Sequence, residues 1–218
     1  MVIGKRTVTA PSLYTPNSQP IDIVEEFKFL GVWVSANLTW NKHVDQMISK
    51  ATSRLYFLKQ LRKASAPPED MLLFYTSVIR SVLEYAAPVW HSSLTAEQTE
   101  SLEKVQKRAF LIIYGEHFAN RTCSYHEFCR EAGSLSLANR REGLSFKFFK
   151  KMIRPDSCIH QLIPEKRDES ILSRLRNPSQ YSIPLARTER FNRSFVLYAL
   201  HSFPTGISED LCDDFIDI

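Results

Sequence analysis

Three groups of residues have types and spacings that could do chemistry. Asp213 and Asp214, within Leu-Cys-Asp-Asp-Phe, are paired carboxylates of the kind that hold two metal ions for phosphoryl transfer. They lie in a stretch from Glu209 to Asp217 with five acids and no base, and no third carboxylate motif completes a metal site. His43 and Asp45 form His-x-Asp, half of a facial iron triad. On a helix, residues i and i+2 point to different faces, whereas triad ligands must converge on one ion. His117, Cys123, His126 and Cys129 could supply four zinc ligands, but their spacing matches no closed zinc site, and positions 126 and 129 serve equally well as helix packing residues. No catalytic residue, metal or cofactor is therefore expected.

The remaining chemistry is charge. Between residues 42 and 63, Lys42, Lys50, Arg54, Lys59, Arg62 and Lys63 are opposed only by Asp45, six minus one, a larger excess than the +4 of all 218 residues. Such a run is either a solvated face or a stripe that neutralises phosphates and releases their counterions. Lys107 and Arg108 add a second basic pair, and Arg140, Arg141, Lys147, Lys150, Lys151 and Arg154 a third group against Glu142. Phe146, Phe148 and Phe149 interleave with the last group and are expected in a core rather than stacked on bases.

The elements that must position these charges follow from apolar spacing. Phe27, Phe29 and Leu30 before Gly31, with Val32, Trp33 and Val34 after it, predict a hairpin turning at a glycine free to take positive φ. From Val44 the period lengthens. Val44, Ile48, Ala51, Leu55 and Leu58 predict one buried face of a helix from about Trp40 to Lys63, capped by Thr39 or Asn41. Pro67 and Pro68 break it, and Glu69 and Asp70 open a second helix, buried through Val78, Ile79 and Val82, that ends before Pro88; Trp90 follows in a loop as a core anchor. Thr95 and Gln98 form a capping box for a third helix with Leu102, Val105, Ala109 and Ile112 inside and Gly115 as its stop. Ser124 and Glu127 form another box, a helix over 136–154 follows, and a last one is expected around Phe195 to Leu200. A short strand is expected over residues 2–9.

The fold class is therefore mainly α: a short β hairpin, a three-helix bundle and a helical C-terminal region, with expected divisions at 1–36, 37–116 and 117–218. No apolar run approaches the ~18 residues of a membrane span, and the start has no signal-peptide h-region, so an intracellular protein with reduced thiols and unused sequons at Asn37, Asn120 and Asn192 is expected.

Several motifs together carry a resemblance. The run FKFLGVWVSANLTW, then VIRSVLEYAAPVW, then LEKVQKRAFLIIYG, resembles in order the part of a non-LTR (LINE-type) retrotransposon reverse transcriptase that follows its catalytic palm. The stretches YHEFCREAGSLSLANRR and PLARTERFNRSFVLYAL resemble the region that closes such reading frames. The resemblance implies a primer-grip hairpin at Phe27, Lys28, Phe29, Leu30 and Gly31, followed by a thumb whose Lys42, Lys50, Arg54, Lys59, Arg62, Lys63, Lys107 and Arg108 hold an RNA or DNA duplex. It also implies a fragment without catalysis, since the palm's Asp-Asp belongs ahead of the hairpin and not at Asp213 and Asp214. Part of residues 27–63 also looks like the segment labelled as the N-terminal region of AlkB homologue eight, a tRNA-modifying dioxygenase and methyltransferase. A helical protein-interaction module is the alternative reading. Neither a membrane nor a small-molecule substrate is expected as partner.

Overall fold

The computed structural model describes residues 1, 3, 12–172, 174 and 180–203. The strand expected over 2–9, of which only Ile3 is described, and the acidic stretch with Cys212, Asp213 and Asp214 lie outside them. Strands β1 (Glu26–Phe29) and β2 (Val32–Ser35) pair antiparallel, with Phe29 opposite Val32. Leu30 and Gly31 make a two-residue turn with φ of 45° and 86°, both in the left-handed region. Only glycine adopts that region at no cost, so the turn depends on Gly31 and strains Leu30. The Tyr85 hydroxyl holds it by donating to the Leu30 carbonyl at 2.8 Å. A Cβ on Gly31 would come within 3.1 Å of the Tyr85 ring. Gly31→Ala is accordingly expected to cost about 1–2 kcal/mol or more, read as a lower urea midpoint; a midpoint within error of wild type would show the turn to be unimportant to stability.

Helix α1 (Asn41–Lys63) leaves the hairpin through a turn in which Asn37 Oδ1 accepts from the Thr39 backbone N–H and hydroxyl. Thr39 is thereby used in the turn, and neither it nor Asn41 caps the helix; Trp40 stands at the N-cap without a side-chain bond. The buried face is Val44, Met47, Ala51, Leu55 and Leu58, with Met47 in place of the expected Ile48, which is half-buried.

The second helix is α2 (Pro68–Phe74), a π-helical segment over Tyr75–Arg80, and α3 (Ser81–Glu84) in continuous sequence. Its fully buried residues are Met71, Tyr75, Ile79 and Leu83, each four apart. Four residues overshoot one α-turn by about 40°, so this spacing would wind around an α-helix. The wider π-turns keep all four on one side. Val78 and Val82, expected inside with Ile79, are half-buried for the same reason. Ala86, at φ 52°, turns the chain into α4 (Ala87–Trp90), so Trp90 is a buried helical residue and not a loop residue.

Helix α5 (Ala96–Tyr114) begins with the expected capping box and stops at Gly115. It packs parallel to α1: Gln98 donates to Asn41 Oδ1 at one end and Arg62 to the Ile113 carbonyl at the other. Ile113 is buried where Ile112 was expected. Short helices α6 (Glu116–Ala119) and α7 (Tyr125–Glu131) follow, the latter with the second expected capping box. Helix α8 (Leu137–Met152), capped by the Ser136 hydroxyl, is shorter than 136–154. Helices α9 (Glu169–Leu172), α10 (Glu189–Asn192) and α11 (Phe195–Ser202) complete the described chain. One core runs from Val32 of the hairpin to Leu137 of α8, and a smaller one joins Phe149 to Tyr181, Ala199, Leu200 and Phe203.

Candidate nucleic-acid interface

The hairpin meets α1 through His43. The Trp33 backbone N–H donates to its Nδ1 at 3.4 Å, and its ring lies edge-on to Trp40 at 6.2 Å and Trp90 at 5.6 Å. Burial first, and the Lys50 ammonium second, push its pKa down to about 4, so it is neutral at pH 7 with the proton on Nε2. Asp45, two residues on, is exposed on another face, so the two do not converge. Among the described residues no three His, Cys, Asp or Glu side chains come together as a metal site. His117 and Cys129 instead pack: the former against Phe128 at 5.6 Å, the latter buried beside the Gln106 amide, with burial pushing its thiol up to about 11.

Between the hairpin turn, α1 and α3 lies a cleft of about 400 Å³, lined by Trp33, His43, Met47, Lys50, Val82 and Tyr85 among others. Cross-strand pairing sets Lys28 opposite Trp33, on the same face of the hairpin. Lys42 lies over the Trp33 ring at 5.4 Å and pairs with Glu26 at 3.4 Å. Lys50 is exposed at the rim and has no carboxylate partner among the described residues. Lys42 thus lies over the half-buried Trp33 indole, Lys28 is its cross-strand partner, and Lys50 lines the same cleft. Beside them Phe27, Phe29 and Leu30 are more than half exposed, Leu30 at 76%.

The other expected contacts are dispersed. Arg54 donates through Nη1 to the Val78 carbonyl, and Arg62 through Nη1 to that of Ile113 at 2.7 Å. Both guanidinium groups therefore join helices. Lys107 is held by Glu100 at 3.0 Å and lies 4.9 Å from the Tyr125 ring. Lys59, Lys63 and Arg108 are exposed. Lys50 and Lys59 are nine residues apart, about two and a half turns, so they leave α1 on opposite flanks and cannot form one stripe.

The basic group expected after residue 136 also divides. Glu84 accepts from Arg140 at 2.6 Å and lies 3.7 Å from Arg80, tying α3 to α8. Arg141 is fully buried, its guanidinium 5.8 Å from the Trp90 ring. Glu103, buried on α5, was not singled out by charge. It accepts from the Tyr125 hydroxyl at 2.7 Å and from the backbone N–H groups of Leu137 at 3.3 Å and Ala138 at 2.6 Å. A carboxylate there satisfies the open donors at the α8 N-terminus and favours its dipole. The signal was present in phase: Glu103 lies one turn before Gln106 and two turns before Phe110 on the buried face of α5.

A family model described as "Alkylated DNA repair protein alkB homolog 8, N-terminal" matches residues 40–81, which span α1, α2 and the π-helical turns to the first residue of α3. No curated protein and no solved structure matches the chain.

Proposed function

We propose that this chain is a non-catalytic nucleic-acid-binding module, a fragment of the LINE-type reverse transcriptase kind in which a primer-grip hairpin feeds a thumb-like bundle. The observation that carries the reading is the trio of Lys42 over Trp33, Lys28 opposite it and Lys50 lining the same cleft, next to the exposed hairpin turn. Cations beside an aromatic ring suit a nucleic-acid backbone with a base against it. The order of hairpin, long basic helix, returning helix and third helix agrees with the motif order that resembles those polymerases. The alkB-type likeness is confined to residues 40–81, where His43 is buried and Asp45 exposed, so dioxygenase chemistry is not part of the proposal.

The interface is placed on the hairpin flank of α1, and the salt dependence of duplex binding tests that placement. Each phosphate neutralised contributes about 0.9 to the log–log slope on B-DNA, so Lys28→Ala with Lys50→Ala should flatten the slope by about 2. Lys59→Ala with Lys63→Ala, on the other flank, should leave it unchanged. A wild-type slope near zero at low ionic strength, in protein that circular dichroism shows to be folded, would favour the second reading, a helical protein-interaction module. Exposed Tyr56, Phe57 and Leu73, apolar side chains on α1 and α2, are the observation that favours it.

A further inference from the structure

We infer that the cleft beneath the hairpin turn accepts one unpaired nucleotide, so that the ligand is a strand whose end is single-stranded, in preference to a blunt duplex. This deepens the duplex-binding reading and rests on it. The cleft's volume of about 400 Å³ falls in the range of about 300–1,000 Å³ typical of small-ligand sites. A single base fits within that volume. Two aromatic side chains line it. Trp33 is half-buried, and Tyr85 is 52% exposed yet fixed at its tip by the bond to the Leu30 carbonyl and along its edge by Gly31. Such preset rings stack on a base of any sequence. Met47 and Val82 make the lining apolar, and Gln46 and Ser81 are exposed at its margin. Lys50, unpaired by any carboxylate among the described residues, provides the charge for that nucleotide's phosphate. Arg54, which also lines the cleft, is already committed to the Val78 carbonyl, so the phosphate contact falls to Lys50. A paired base cannot enter without losing both its partner and its stack, a cost that is smaller for an unpaired terminal nucleotide.

The test compares a blunt DNA duplex with the same duplex carrying one unpaired 2-aminopurine nucleotide at an end. Wild-type protein should bind the overhang about fivefold more tightly, the low end of the value of one base stacked on an aromatic side chain, with a change in 2-aminopurine fluorescence. Ser81→Trp fills the cleft from an exposed helix position and removes no cation. It should abolish the preference and the fluorescence change while keeping blunt-duplex affinity and its salt slope. Trp33→Leu, in protein that circular dichroism shows to be folded, should also abolish the preference and the fluorescence change. Equal wild-type affinity for both ligands with a steep salt slope would overturn the cleft assignment and leave the lysine interface standing. A preference that survives in Ser81→Trp would overturn it too, and binding to neither ligand would overturn both proposals.

Discussion

Trp90→Ala is expected to lower stability by about 3–5 kcal/mol, the range for emptying a core of a large aromatic side chain. Trp90 is fully buried, and its Nε1 donates at 3.0 Å to the Tyr85 carbonyl across the left-handed turn at Ala86. It also touches two groups that depend on it. The His43 ring, which receives the hairpin's N–H, lies 5.6 Å away. The Arg141 guanidinium lies 5.8 Å away, fully buried, and none of its three nitrogens has a hydrogen-bond partner among the described residues. A desolvated cation over an indole face gains up to about 2 kcal/mol, and without the ring that charge has no counterpart in contact. Trp90→Phe keeps a ring and loses the hydrogen bond, so it should cost clearly less. Urea unfolding followed by circular dichroism reads both. If Trp90→Ala costs no more than Tyr56→Ala, a change at an exposed ring of α1, the position of Trp90 at the centre of the fold is wrong.

Acid should destabilise the protein well above the range where carboxylates titrate. In the unfolded chain His43 takes its proton near 6.5, whereas in the fold burial and Lys50 hold it off until about 4. Burial and the Arg141 charge lower His91 to about 4 as well. A histidine depressed in the fold contributes fully above the unfolded pKa, and its contribution is lost as pH falls from 6.5 toward 4. For His43 a fall from 6.5 to about 4 corresponds to about 3 kcal/mol. His43→Gln should remove that part of the pH dependence, so that wild-type and variant stabilities differ at neutral pH and approach each other near pH 4.5. Parallel curves across that window would show that His43 is not the group responsible.

The sequence made the elements legible where local chemistry decides them. Both capping boxes, the Gly31 turn, the Gly115 stop and the apolar face of α1 depend on residues within a turn of each other. What it hid was long-range. Arg54 and Arg62 read as free cations until residues 24 and 51 positions away supply carbonyls for them. The phase of the second helix was misread for another reason: 3.6-residue spacing puts Val78 and Val82 inside, and only a π-helical stretch brings Tyr75 and Leu83 there. The split of the basic residues was available in principle. Counting charges along α1 concealed it, while the spacing of Lys50 and Lys59 implied it. The resemblance already implies Lys28 as a site residue, and only its place opposite Trp33 needed the pairing register.

The π-helical segment also bears on how the chain tolerates changes in length. From Met71 to Leu83 twelve steps cover three turns, where an α-helix needs about 11. The helix thus already holds one residue in surplus. A deletion within 75–80 would let it rewind as α-helix with Leu83 still facing inward and Tyr85 still within reach of the hairpin turn. An insertion there has no slack to take it up, and would swing Leu83 toward solvent and Tyr85 away from Leu30.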